Sequence, residues 1–531
     1  MMPPDFTPCG RCRAWLAVAL LAGLVSGCAM VGPDYGRPPV KVEQTWMETA
    51  DKRVQTASAN YKDWWQAFKD PALNRLIDSA YRENLTLQIA GVRVLRAQAQ
   101  LGVAVGGFYP QTQQGLGGYT RTRLSQSDPS VAGSNQFTYS AAQIGLGANW
   151  ELDFWGKFRR GIQSADATLH ASIADYDNAL VSLTGDVASN YIIIRTLEKR
   201  LEIAYQNVKT QTESLKIAQA RFEGGTTSQR DVEQAKTILS NTEATIPTLE
   251  SQLRQSKNAL CALLGKPPHN LAELMQGTAK IPAPPPQVAV GIPADLLRRR
   301  PDIRSAELQA MAQCSQIGVA KAALYPSFTL MGTVGFTSSD LATFYLGNLG
   351  QWPSRRASFG PSFQWNLFNY GQITNQVRVQ DARFQELLIT YQNAVLKAQQ
   401  EVEDSLIAFI KSQERAKFLR DSVTAAMRSL DLAVIQYREG ITDFTTVLTA
   451  QQALLSEQDS LATTLGDISK NLVGVYRALG GGWQIREGQD LVPAAIKEAM
   501  AKRTNWGRLL TPVAVAPPEE SQRRLIRAPE W

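Results

Sequence analysis

The sequence predicts an α+β membrane protein built from two internal repeats, each a pair of amphipathic β-strands carried on a long helical hairpin. Three observations predict it. Apolar residues recur at alternating steps of three and four over stretches far longer than a globular helix. Between those stretches the period drops to two, that of a strand with one apolar face. Landmarks of the first half also return in the second, 215 or 216 positions on. Tyr109-Pro110 is answered by Tyr325-Pro326, the segment 150–156 by 365–371, and Leu264-Gly265 by Leu479-Gly480.

The first 27 of the 531 residues read as a segment to be removed. Arg11 and Arg13 precede an apolar run over 15–25, the pattern of a secretory signal peptide. It ends in Leu24-Val25-Ser26-Gly27-Cys28, which is similar to the lipobox of bacterial lipoproteins. Small residues there admit the peptidase, and the cysteine becomes the acylated first residue. Cys28 is the expected lipid attachment site, and no cofactor besides that covalent lipid is expected. Each acyl CH₂ buried in the bilayer contributes ~0.8 kcal/mol of anchoring. By the rule of that class, Ala29 rather than Asp after the cysteine points to the outer membrane.

Charge and the remaining reactive residues exclude several functions. Against 48 acidic residues there are 55 basic ones, a mild +7, with no basic block beside a nucleic-acid module, so no nucleic-acid partner is expected. Cys9 and Cys12 fall in the removed segment; Cys261 and Cys314 remain in an oxidising compartment, where they could pair. His170 and His269 stand alone and read as surface residues, so no metal site is expected. No nucleophile elbow, P-loop or paired-carboxylate motif occurs, so no catalytic residues are assigned and the chain does not read as an enzyme.

In chain order, residues 28–82 form an anchor segment and equatorial region: an extended leader through Val31-Gly32-Pro33-Asp34-Tyr35, then Trp64-Trp65 opening a helix at Asp70-Pro71. The first repeat, 83–280, holds a helix from Asn84 to about Val105, strands at 111–123 and 136–153, and a hairpin over 157–264. Its outgoing arm, at 1.5 Å per residue, is about 100 Å long. Gly224-Gly225 reverse the chain, and Pro247 predicts a kink in the return arm. A proline-rich linker, 281–298, leads to the second repeat, 299–482: a helix, strands at 327–338 and 356–369, and a hairpin over 371–479 that reverses at Gly440. The tail, 483–531, has weak periodicity and is expected to be partly disordered.

No run after the N-terminus reaches the ~18–20 apolar residues of a spanning helix. The strands are long enough to cross a bilayer when tilted, since about 9–11 residues suffice. Four strands cannot close, and lipid does not tolerate open edges, so several chains must close the barrel. Two chains would fill their interior with side chains, whereas three would leave a polar lumen.

At this point the chain resembles the TolC/OprM (NodT-type) outer-membrane efflux lipoproteins along essentially its whole mature length. The resemblance is carried by the lipobox, Val31-Gly32-Pro33-Asp34-Tyr35, Trp64-Trp65 with Asp70-Pro71, Arg299-Arg300-Pro301-Asp302-Ile303, Tyr325-Pro326 and the duplicated hairpins. It implies a homotrimer with a twelve-stranded transmembrane β-barrel, continued by a periplasmic α-barrel of twelve long helices. It further implies a passive duct for drugs or other toxic small molecules, docked to a periplasmic adaptor and an inner-membrane pump of the resistance-nodulation-division type. The adaptor is expected at both tips, Gly224, Gly225, Thr226 and Thr227 on one and Gly440, Ile441 and Thr442 on the other.

The resemblance also places a gate at the tips, at Tyr437, Asp443, Thr446 and Thr449. Relatives usually carry acids at the positions of Thr446 and Thr449; here the nearest acid is Asp443, which equally suits a helix cap. The expectation is a weaker cation-binding constriction, closed more by Tyr437. Two alternatives stay open: an exit duct for an ABC-type protein secretion system, and a periplasmic coiled-coil adaptor or structural protein. An adaptor would typically carry one hairpin with flanking soluble β modules, whereas this chain has two hairpins and amphipathic strands.

Overall fold

A computed structural model describes residues 30–57, 61–125, 127, 137–276, 280–295, 299–339 and 349–511. Cys28 lies outside the described residues. Helices α1 (Pro71–Glu83) and α2 (Leu85–Gly106) lead into strands β2 (Thr112–Arg123) and β3 (Thr138–Leu152). Then come α3 (Lys157–Glu223) and α4 (Gln229–Leu263). The second half repeats this order with α5 (Pro301–Ala322), β5 (Ser327–Ser339), β6 (Arg355–Gln364), α6 (Gln372–Arg438) and α7 (Phe444–Ala478). A short parallel pair, β1 (Val54–Gln55) with β4 (Val288–Ala289), joins the leader to the segment expected to be a plain linker.

The repeats match helix by helix. Each has a short helix of 22 residues, an outgoing arm of 67 and a return arm of 35. The short helix and the return arm lie end to end along the outgoing arm, and one device joins them twice. Asn84, the N-cap of α2, donates to Leu263 O at 2.8 Å, and Arg300, the N-cap of α5, donates to Ala478 O at 2.9 Å. Each satisfies a carbonyl that the end of a helix leaves open. This accounts for Arg300 in the Arg-Arg-Pro-Asp stretch; its other donors reach Asp302 and Glu401.

The main core sits where the leader, α1 and the C-terminal segment meet the arms. Trp64 stacks on Tyr476 at 5.3 Å, and Trp65, Phe68, Leu73 and Leu76 are buried beside Leu180, Tyr191 and Leu472. Asp70 caps α1 by accepting from Ala72 N at 2.8 Å, and it also accepts from the Tyr191 hydroxyl at 2.8 Å.

Five readings of the sequence meet the structure here, and the end of β6, the order of the tail and the surface placing of His170 are corrected. Strand β6 ends at Gln364, not 369, because its last pair is with Ser327, and Pro326 before that residue offers no N–H to extend the ladder. The tail is ordered through 511: Trp483 is in the core, Arg486 makes a fully buried ion pair with Asp177, and helix α8 covers Ala494–Arg503. Cys261 and Cys314 are both buried and unpaired with each other. His170 is largely buried, its ring 3.7 Å from Asp166. Pro247, where the sequence predicts a kink, lies inside α4 without ending it, on an exposed flank where water can serve the freed carbonyl.

Candidate functional site at the hairpin tips

Both tips turn by the same backbone device. Gly225 and Gly440 adopt φ of 70° and 75°, a region costly for residues with a Cβ. Thr226 N donates to Arg221 O and Ile441 N to Gln436 O, each at 2.9 Å, while Gly225 N and Gly440 N reach Phe222 O and Tyr437 O. These are the paired bonds of a Schellman helix end. Gly224, Gly225, Thr226, Gly440 and Ile441 are exposed, and Thr227 and Thr442 are partly so.

Asp443 is the N-cap of α7, accepting from Thr446 N and from Thr446 Oγ1 at 3.3 Å. Thr446 also shares a 2.8 Å hydrogen bond with Thr442, and Thr449 donates to Thr445 O at 2.9 Å. Asp443, Thr446 and Thr449 all lie on the exposed side of α7.

Tyr437 is elsewhere. It is buried, and it lies between the two hairpins of its own chain rather than on an outward face. Its hydroxyl donates to Asp231 Oδ2 at 3.4 Å, and Thr227 donates to the same oxygen. Arg221 covers the ring at 4.7 Å, and Phe444 meets it edge-on at 5.3 Å. Val232, Ala235, Leu430, Val447 and Leu454 close an apolar cluster around them. Burial pushes the Tyr437 phenol up, with the Thr227 contact working against it, so the group stays protonated and keeps its donor. Farther along the arms, Asn207 donates to Gln458 at 2.8 Å and Gln451 to Ser214 at 2.7 Å, again joining hairpin to hairpin.

The sequence reading missed Asp231 and Arg221. A signal existed for the first: Asp231 lies 215 positions before Thr446, so the acid missing from one repeat stands at the equivalent place in the other.

At the opposite end the strands form one antiparallel sheet in the order β2-β3-β5-β6. Residues directly opposite one another share a face. Ile144 pairs with Phe336, Leu146 with Val334, Trp150 with Leu330, and Phe328 with Phe363, which makes one face apolar. Ile144, Leu146, Val334, Phe359 and Phe363 are each more than half exposed on it. The other face carries Gln143, Asn149, Thr333 and Ser358. At the helix junction Trp150 donates to Phe108 O at 3.2 Å and Trp365 to Leu324 O at 3.0 Å, one repeat echoing the other. Among the described residues no helix is long and apolar enough to cross a membrane.

An apolar-faced sheet set on two long hairpins that turn at matched tips is the architecture of an outer-membrane channel protein. The outer membrane efflux protein family matches residues 76–266 and again 292–481, once per repeat. The chain belongs to that family. Nodulation protein T of Rhizobium leguminosarum bv. viciae is 32% identical over 468 residues, covering 88% of this chain and 93% of the relative. The solvent efflux pump outer membrane protein SrpC of Pseudomonas putida is 32% identical over 476 residues, 87% and 97% of the two chains. The solved outer-membrane channel OprN superposes with a TM-score of 0.80 at 31% identity, over 86% of this chain and 99% of that one. The protein is therefore the outer-membrane channel of an efflux system, extending into the periplasm, and not an enzyme.

Proposed function

We propose that three copies close into a twelve-stranded barrel and a twelve-helix α-barrel, gated at the tips. The observation that carries the reading is the open sheet: β2 and β6 are end strands of an apolar-faced sheet, and lipid requires both edges to be paired. Pairing β6 of one protomer with β2 of the next satisfies both. Three copies make a ring wide enough for a lumen, which the Gln, Asn, Ser and Thr face suits.

The tips at Gly224–Thr227 and Gly440–Thr442 receive a periplasmic adaptor, which links the channel to an inner-membrane pump of the resistance-nodulation-division type. The cargo is small organic molecules, in keeping with relatives named for solvent efflux and pyoverdine export. Met30, two residues beyond Cys28, packs on Gly156 at the sheet–helix junction, which supports acyl chains on Cys28 entering the membrane at that level. The closed gate is held by Tyr437 bridging to Asp231 within each chain, while three copies of Asp443 ring the mouth as a weak cation site. Membrane fractionation followed by crosslinking tests the assembly. Recovery in the outer membrane with a three-chain ladder is expected; a soluble monomer defeats the reading.

A further inference from the structure

The sheet carries five charged residues, and four of them are arginines near the end away from the helices. Strand β2 leaves the helices at Thr112 and ends at Arg123, while β6 begins at Arg355 and returns. Register sorts these arginines between the faces. Arg121 lies opposite Ser140 and Arg123 opposite Thr138, both in phase with Ile144 and Leu146 on the apolar face. Arg355 lies opposite Phe336, in phase as well. Arg356 lies opposite Gly335 and belongs to the polar face.

Three arginines thus crown the lipid-facing side, at or just beyond the last apolar row. The Ser140 row is four residues past Ile144, roughly 13 Å along the strand. With a strand tilt of about 40° that is roughly 10 Å of height, the level of headgroups. Tyr119 and Trp352, both well exposed, mark the same boundary with amphipathic rings, and Arg355 stacks on Trp352 at 3.8 Å. Among the described residues no carboxylate pairs with Arg121, Arg123 or Arg355. Cations that meet none of the described carboxylates, set at a membrane boundary, suit an anion supplied by the membrane.

We propose that Arg121, Arg123 and Arg355 bind the phosphorylated headgroup of an anionic lipid of the outer leaflet. On the trimeric reading above, β6 of one protomer meets β2 of the next, so all three arginines gather at each subunit seam. Guanidinium forks match phosphate oxygens in pairs, and a lipid with two phosphates spans such a cluster.

The test is native mass spectrometry of the full chain titrated with diphosphoryl lipid A. Each arginine near the surface contributes about fivefold, so Arg121→Gln/Arg123→Gln is expected to weaken binding about 25-fold. Arg356→Gln, on the other face, is expected to leave it unchanged, and Arg121→Lys/Arg123→Lys, which keeps the charge but loses the forks, to fall between wild type and the glutamine pair. Equal binding by wild type and the glutamine pair overturns the proposal, as does equal loss in Arg356→Gln. Displacement of the lipid by millimolar inorganic phosphate would mean a free-anion site and overturns it too. Should the double variant not fold, Arg355→Gln alone carries the test with a loss of about fivefold. A wild type that never crosslinks as a trimer sinks the assembly but leaves the affinity attributable to each arginine measurable.

Discussion

Replacing Tyr437 by Phe removes one hydroxyl and leaves the ring packed on Phe444 and beneath Arg221. The lost bond, to a carboxylate at 3.4 Å, is long, so the worth of an ordinary rather than a charge-assisted hydrogen bond applies, about 1 kcal/mol. If three chains open together the closed state loses about 3 kcal/mol, and the open fraction rises on the order of 100-fold. Single-channel recording in planar bilayers reads this as open probability. Asp231→Ala should produce at least the same effect, and adding Tyr437→Phe to it should change little, because the shared contact is already gone. An unchanged open probability in Tyr437→Phe, or simple additivity with Asp231→Ala, would refute the bridge. The pH behaviour follows from burial. The folded state favours the protonated phenol, so its contribution is whole below the ordinary phenol value of about 10 and fades as pH climbs through the raised folded one. No titration of the gate from this group is expected below pH 10.

Three further outcomes are expected. Asp443→Asn keeps the helix cap, since Asn caps as well as Asp, and should lower cation selectivity without loss of stability; unchanged selectivity would remove the carboxylate from the mouth. Arg486→Ala leaves the Asp177 carboxyl buried without its partner, at a cost of about 3–5 kcal/mol in denaturant unfolding, whereas Arg486→Met with Asp177→Leu should recover most of it. Gly225→Ala and Gly265→Ala share a left-handed backbone but differ in space. The first meets nothing within 4 Å and should cost about 1–2 kcal/mol, while the second drives a Cβ to 2.2 Å from Glu83 O and should cost about 2–5 kcal/mol in the same assay. Equal losses would show that backbone strain alone matters at both.

Most of the fold was legible because it is written in periodicity. The 67-residue arms announce themselves by an apolar seam, and the return points by glycines that must take positive φ. What escaped depends on tertiary partners. The C-terminal segment has weak periodicity because it is held by separate anchors, Trp483 in the core and Arg486 on Asp177. The end of β6 is set by where its partner starts, not by its own alternating residues. At the tips, resemblance led to Tyr437 and to the empty positions Thr446 and Thr449, but the partner of Tyr437 lies 206 residues away in the other hairpin. Only folding brings Asp231 to it. Cap chemistry, by contrast, is local, which is why Asp443 reads correctly as a helix start.

The equal lengths of the two repeats carry a consequence at the tips. Tyr437 corresponds to Phe222 and Asp231 to Thr446, 215 positions apart in both cases. Had the halves stayed identical, the contact would exist twice, on both diagonals of the hairpin pair. Divergence kept it on one diagonal only: Phe222 has no hydroxyl, and Thr446 has no carboxylate. In the proposed trimer, a ring of six equivalent hairpins would have to dilate all at once or not at all. A duplicated gene whose copies have drifted apart escapes that restriction, because one set of hairpins can serve as the fixed frame and the other as the moving leaf.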